Sequence, residues 1–314
     1  MKAVVFCGGE VGWSDRPDPQ PGPRDLLVRV EAAGINRADL LQRAGHYPPP
    51  AGVPADQPGL ECAGVVEETG AAVERFSPGD RVMSLLAGAG QAELALFDER
   101  TAIPVPDRCS TVEAGGFPEA FATAYDALFT QGGISMGDRA LVTGAAGGVG
   151  MAGVQLAVAA GATVVASVRH EDFRDDVAKL GATAVAPDEA LALGPFDVVL
   201  ELVGGTGVAG ALNALAPQGR IVVIGIGAGG RTDLDLGLLM HRRATLRGST
   251  LRTRSLEEKA VVARRLEQHV LPLLDEGKLN VVVQVTYPFE QAAQAYDRFE
   301  TGRKFGKIIL TSDH

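Results

Sequence analysis

The chain has 314 residues, room for about two domains at roughly 150 residues each. It carries 29 Lys+Arg against 39 Asp+Glu, a net charge of −10, which argues against a nucleic-acid binder, whose affinity rests on clustered cations. With 46% hydrophobic and 22% charged residues, the composition excludes disordered and fibrous classes and supports a core without disulfide or metal staples.

Cys7, Cys62 and Cys109 lie far apart with no C-x-x-C spacing. Neither a disulfide framework nor a zinc finger is indicated, which suits a reducing cytoplasm. The apolar start Met1–Phe6 is too short for a signal peptide.

Lys2–Phe6 reads as a strand, and Asp18-Pro19-Gln20-Pro21-Gly22-Pro23 as a rigid turn. Leu26–Ala32 alternates as a strand does, and Asn36–Arg43 has a short helical pattern. Pro48-Pro49-Pro50 then forces an extended segment. Cys62–Glu68 is a further strand, and Pro78-Gly79-Asp80-Arg81-Val82 reads as turn then strand. Strands parted by Gly/Pro turns predict a barrel-like β domain.

The pattern turns helical over Glu113–Phe129. Strands are then expected at Ala140–Thr143, Thr163–Val168, Phe196–Glu201, Arg220–Gly225 and Ala244–Gly248. Helices are expected between them at Gly148–Ala160, Asp172–Leu180 and Val208–Ala214. Such βα alternation predicts an α/β fold with a doubly wound parallel sheet. Leu256–Leu274 reads as one amphipathic helix, followed by a strand at Val281–Val285, a helix at Phe289–Thr301 and a strand at Lys307–Leu310. No charged residue occurs from Ala140 to Val168, but six glycines interrupt that run, so a strand–turn–helix–strand fits better than a membrane span.

Thr143-Gly144-Ala145-Ala146-Gly147-Gly148-Val149-Gly150 joins the first of these strands to its helix. The three fingerprint positions are either Ala145, Gly147 and Gly150 or, at wider spacing, Gly144, Gly147 and Gly150. Missing side chains let backbone approach a pyrophosphate, whose charge suits the helix N-terminus. The alternative is an ordinary tight turn of an α/β fold. About 20 residues after the glycines, an NAD site carries Asp or Glu and an NADP site carries Arg. Here Ser167-Val168-Arg169-His170 ends the second strand. Arg169 would clasp a 2′-phosphate with the Ser167 hydroxyl beside it; His170 either touches the phosphate too or stands exposed at the helix start. Glu171 is the competing NAD-type carboxylate, although Glu171 and Asp172 also suit the first turn of the next helix. NADPH is therefore the expected cofactor.

Several motifs together resemble the medium-chain dehydrogenase/reductase superfamily, in its zinc-free quinone oxidoreductase (zeta-crystallin-like) branch. They are Gly34-Ile35-Asn36-Arg37-Ala38-Asp39, Gly45-His46-Tyr47-Pro48-Pro49-Pro50, Pro58-Gly59-Leu60-Glu61-Cys62-Ala63-Gly64, the glycine turn, Leu246–Arg252 and Gly306–Leu310. The Asn-Arg-Ala-Asp and His-Tyr-Pro-Pro-Pro pieces look most like the group of the tumour-suppressor-induced quinone oxidoreductase.

The resemblance implies a GroES-like β-barrel catalytic domain over residues 1–120 and 260–314, and an NADP-binding Rossmann domain over 121–259. It implies an active site in the cleft between them. Zinc alcohol dehydrogenases carry Cys where Asn36 stands and His where Leu60 stands, so no catalytic metal is expected; Glu61 alone supplies too few ligands. His46, His170, His241, His269 and His314 are scattered.

The implied reaction is hydride transfer to a quinone, with Tyr47 as hydrogen-bond donor to the acceptor oxygen and Asn36 beside the nicotinamide. Packing among the prolines is the alternative for Tyr47, and turn stabilisation for Asn36. Thr123, Gly147, Gly148, Val149, Ser167, Arg169, His170, Val203, Ile226 and Leu251 complete the expected cofactor contacts, and Arg252 should border the pocket. Thr123 has the alternative of a satisfied helix hydroxyl. Cys62 reads as a buried apolar residue rather than a nucleophile. Leu238-Leu239-Met240 and Ala244–Gly248 are the expected homodimer elements, with core packing as the alternative. An enoyl or 2-alkenal reductase and a non-catalytic NADPH-binding protein remain open, and one- and two-electron reduction are not distinguished. Neither a membrane nor a nucleic-acid partner is expected.

Overall fold

The computed structural model describes residues 1–312; Asp313 and His314, the end of the expected 260–314 segment, lie outside the described residues. The chain divides into two units, one formed by Met1–Ala122 together with the chain from Leu251 onward, the other by Thr123–Thr250.

The first unit opens with strands β1 (Lys2–Cys7), β2 (Glu10–Asp15) and β3 (Asp25–Gly34), then helix α1 (Arg37–Arg43). Strands β4 (Glu61–Thr69), β5 (Arg81–Leu85), β6 (Leu94–Asp98) and β7 (Ala102–Pro104) follow, then helices α2 (Thr111–Ala114) and α3 (Pro118–Tyr125), the last running into the second unit.

A π-helical turn, Asp126–Gln131, leads into the second unit. Its elements are β8 (Arg139–Val142), α4 (Gly148–Ala159), β9 (Thr163–Ser167), α5 (Arg174–Ala178), β10 (Thr183–Val185), α6 (Pro187–Ala190), β11 (Phe196–Glu201), α7 (Thr206–Asn213), β12 (Leu215–Val223), α8 (Leu236–Arg242) and β13 (Thr245–Gly248). The chain returns to the first unit through α9 (Leu256–His269), α10 (Leu271–Asp275), β14 (Val283–Pro288), α11 (Ala292–Glu300) and β15 (Lys307–Thr311).

In the first unit the strand order is β14-β15-β3-β4-β5-β7, with β6 also pairing to β3. Pairing is antiparallel except between β14 and β15. β3 alternates as its sequence does: Leu26, Val28 and Val30 point into a core with Val66, Val82, Phe97, Ile308 and Leu310, onto which α11 adds Tyr296 and Phe299. The register sets Gly34, at the end of β3, opposite Ile309 of β15. Antiparallel pairing thereby brings the C-terminal end of β3 together with the first residues of β4 and β15.

In the second unit six parallel strands run β10-β9-β8-β11-β12-β13. Counted from the first strand of this unit, the order is that of the doubly wound dinucleotide-binding sheet, with its switch point between β8 and β11. The charge-free run resolves into β8, α4 and β9; α4 buries Gly150 through Ala157 against the sheet. No helix among the described residues is long and apolar enough to cross a membrane.

Some expected elements differ. Asp172–Leu180 is a 3₁₀ turn at Glu171–Phe173 followed by the short α5. Only Val177 of α5 is buried, so there is no apolar face to hold a longer helix. Leu256–Leu274 is two helices rather than one, because Pro272 has no N–H for the carbonyl four residues earlier. Strands β2, β6, β7 and β10 were not expected, and β12 starts at Leu215, ahead of a register shift.

Candidate functional site

The first unit concentrates buried polar groups where β3, β4 and β15 meet. Asn36 precedes α1 in extended backbone, and its N–H donates to Asp39 Oδ2 at 2.8 Å. Its side-chain amide donates to Glu61 Oε1 at 2.8 Å and accepts from Lys307 Nζ at 2.7 Å. Lys307 Nζ also lies 2.5 Å from Glu61 Oε1, and Glu61 Oε2 accepts from the backbone N–H of Glu119 at 2.8 Å. Asn36, Glu61 and Lys307 are all buried. Gly34 makes this possible: a Cβ there would collide with the Glu61 carboxylate.

Asp39 is fully buried, and desolvation pushes its pKa up from 3.8 to about 6 despite bonds from the N–H groups of Asn36 and Gly59 and the charge of Lys307. Gln91 extends the network, accepting from Tyr296 Oη at 2.8 Å and donating to the Gly34 carbonyl at 3.2 Å.

Tyr47 follows the end of α1. Gly45, at φ +74°, closes that helix, and the His46 N–H returns to the Leu41 carbonyl. The Tyr47 carbonyl accepts from Arg252 Nη1 at 2.8 Å, and the guanidinium carbon lies 5.0 Å from the ring centroid. Burial and the Glu119 charge raise the Tyr47 pKa, and Arg252 opposes them. Leu251 is buried in the same unit.

The second unit holds the glycine turn between β8 and α4. Gly144, at φ +59°, adopts the left-handed conformation that the wider glycine spacing provides for. The N–H of Ala145 donates to the Ser167 carbonyl at 3.1 Å, fixing the turn to the end of β9. At Gly150 a Cβ would lie 2.5 Å from the Gly144 carbonyl oxygen and 2.6 Å from Ala145 Cα. At Gly147 it would meet only the Gly144 oxygen, at 3.5 Å, leaving an open cradle.

Gly147 caps α4 without a side chain, and no acidic residue stands in the first turn, which contains Gly148 and Val149. Uncapped N–H groups beside an open glycine fit the pyrophosphate of a nicotinamide dinucleotide. Beyond β9, Arg169 is exposed, and its Nη2 lies 3.2 Å from His170 Nε2.

Glu201, at the end of β11, joins the two loops of the switch point. Its Oε1 accepts from Thr143 Oγ1 at 2.9 Å and from the N–H groups of Val203 and Gly204 at 2.7 and 2.9 Å. Past β11 and β12, Val203 and Ile226 expose apolar side chains, 38% and 55% accessible. These lie at strand C-termini, where an open α/β sheet receives its ligand. Thr123 is buried in α3.

The expected residues therefore fall into two groups. Asn36, Tyr47 and Leu251 belong to the first unit; Thr123, Gly147, Gly148, Val149, Ser167, Arg169, His170, Val203 and Ile226 belong to the second. Sequence reasoning passed over Lys307, Asp39, Gln91 and Glu201 as functional groups. Lys307 had one signal, a lysine opening an otherwise apolar strand. Cys62 is fully buried, which raises its thiol pKa and keeps it protonated. Among the described residues no group of three or more His, Cys, Asp or Glu is arranged to hold a metal ion.

A family model described as alcohol dehydrogenase GroES-like domain matches residues 22–130, and one described as zinc-binding dehydrogenase matches residues 160–310. The quinone oxidoreductase of Rattus norvegicus is 30% identical over 330 residues, covering 99% of this chain and 96% of that protein. A phenolphthiocerol/phthiocerol polyketide synthase component of Mycobacterium tuberculosis is 31% identical over 304 residues; the match takes in 93% of this chain but spans only 14% of that protein. Among solved structures, an NAD-dependent alcohol dehydrogenase superposes with a TM-score of 0.85 at 29% identity, covering 99% of each chain.

Proposed function

The chain is an oxidoreductase of the medium-chain dehydrogenase/reductase superfamily, a class that works with a nicotinamide cofactor, and on that footing we propose that it is a zinc-independent, NADPH-dependent quinone reductase. The observation that carries this reading is the Lys307–Glu61–Asn36 cluster. Asn36 and Leu60 stand where zinc relatives carry Cys and His. The remaining carboxylate, Glu61, is bonded to a lysine ammonium instead.

When bound, NADPH supplies the hydride; with one proton from solvent, a quinone becomes a hydroquinone. The glycine turn and the α4 N-terminus would hold the pyrophosphate, Arg169 would hold the 2′-phosphate with help from Ser167 and His170, and Thr123, Val203, Ile226 and Leu251 are the residues assigned to the nicotinamide half. Tyr47 donates a hydrogen bond to the acceptor oxygen as it gains negative charge, which lowers the barrier. The raised Tyr47 pKa keeps that proton in place at neutral pH. Asn36, its amide held by Glu61 and Lys307, would face the nicotinamide.

A second reading, reduction of an α,β-unsaturated carbonyl, is favoured by the 31% identity to a polyketide synthase component and uses the same residues. We further propose a cytoplasmic homodimer. Three unpaired cysteines suit a reducing compartment. β13 is an edge strand with all four residues exposed, and Met240 of α8, the helix that precedes it in the chain, is 77% accessible. Leu238 and Leu239 instead pack toward the core of their own unit.

Oxidation of NADPH and of NADH is measured against a panel of 1,4-quinones and 2-alkenals. Turnover of quinones with NADPH, at least tenfold above NADH, is expected. Preference for alkenals selects the second reading, and preference for NADH overturns the role of Arg169.

A further inference from the structure

We propose that Arg252 is a positioning residue for Tyr47, tying down its backbone and placing a buried cation beside its ring; the proposal rests on the donor role given to Tyr47 above. Arg252 is only 3% exposed. Its Nε donates to the Ala87 carbonyl at 2.8 Å, Nη1 to the Tyr47 carbonyl at 2.8 Å and Nη2 to Gln42 Oε1 at 2.5 Å. The fork of donors thus reaches three acceptors in three directions, which an ammonium on a single stem does not reproduce.

Gln42 is fixed in turn. It lies on α1, and its Nε2 donates to the Ala55 carbonyl at 2.9 Å, so its oxygen is the atom turned to Arg252. A rigid helix therefore anchors the guanidinium, and the guanidinium anchors the segment that carries Tyr47.

The three acceptors are neutral; the charged groups that act on the guanidinium are the carboxylates of Asp39 and Glu119 and, as a second cation, Lys259. The guanidinium charge lies 5.0 Å from the centre of the Tyr47 ring. It favours the phenolate and so makes the phenol a stronger donor. Burial and Glu119 act in the opposite direction on the same phenol. One residue about two hundred positions away in sequence thus holds the segment that carries Tyr47 and opposes, through its charge, the burial that raises the phenol.

The test is a double-mutant cycle read by NADPH oxidation with 1,4-naphthoquinone in wild type, Tyr47→Phe, Arg252→Met and the double variant. Arg252→Met is expected to lower kcat about tenfold or more in the wild-type background and less than twofold in the Tyr47→Phe background. KM for NADPH should stay within twofold. Arg252→Lys, which keeps the charge but not the fork, should recover part of kcat. The alkaline limb of kcat/KM should move upward in Arg252→Met, because the cation that favours the phenolate is gone, and should not move when Arg252→Met is made in the Tyr47→Phe background. A shift in both backgrounds would belong to Lys259, which Arg252 also acts on, and would overturn the proposal.

Equal fold losses in both backgrounds with an unmoved alkaline limb overturn the proposal. If Tyr47→Phe alone leaves kcat unchanged, the donor reading itself has failed, which is seen before Arg252 is altered. If Arg252→Met does not fold, Arg252→Lys and Gln42→Leu carry the same cycle.

Discussion

Lys307 and Glu61 form an ion pair shut inside the first unit, Nζ to Oε1 at 2.5 Å, with side-chain accessibilities of 5% and 0%. Two charges buried so deeply need each other, and Asn36 Oδ1, the Ile35 carbonyl and the Glu119 N–H satisfy what remains. Lys307→Met strands a buried carboxylate and should destabilise the protein by about 3–5 kcal/mol in urea unfolding. Adding Glu61→Gln should restore at least half of the loss, since no uncompensated charge is left.

Asp39 makes stability depend on pH in a fixed direction. Its folded pKa of about 6 lies above the unfolded value, so the native state holds this proton more tightly. Its contribution is fully present below about pH 4 and is lost as pH rises through about 6. Asp39→Asn removes the titration. The stability of wild type relative to Asp39→Asn should therefore fall between pH 4 and pH 7, by a difference on the order of 3 kcal/mol in matched urea titrations.

Two glycines of the same turn should respond differently. Gly150→Ala drives a methyl group into backbone at Gly144 and Ala145, which cannot retreat, and should cost about 1–3 kcal/mol of stability. Gly147→Ala meets only ordinary contact, so thermal unfolding should stay near wild type. Its methyl group nevertheless enters the open cradle, and Kd for NADPH by fluorescence titration should rise about tenfold or more.

Arg169→Ala tests cofactor choice. KM for NADPH should rise about tenfold or more while KM for NADH changes less than twofold, because only the 2′-phosphate is lost as a partner. Equal changes for the two cofactors would place the phosphate elsewhere.

Tyr47→Phe removes one hydroxyl and little volume. Turnover with quinone should drop about 100-fold in kcat/KM, the magnitude seen when one oxyanion donor is deleted, with NADPH affinity within twofold of wild type. An unchanged kcat/KM would return Tyr47 to a packing role.

What the sequence determined by itself is local. β11 runs Phe196–Glu201 as its apolar pattern dictates, and the glycine turn lies between strand and helix where the fingerprint requires it. Short-range signals sufficed there, because a βα unit closes within a few tens of residues and its glycines meet sterics from their own turn. Breaks in longer patterns were harder to read: Pro272 divides a continuous apolar stripe, and α5 is short because its outer face has nothing to bury against.

The tertiary structure decided the polar partnerships. Lys307 stands 246 positions from Glu61, and Arg252 stands 205 from Tyr47. Their encounter depends on β15 returning to pair with β3, and on the segment after β13 rejoining the first unit. Such pairs leave no periodicity in the chain. A buried charge becomes visible only when the fold has removed its water and shown which group replaces it.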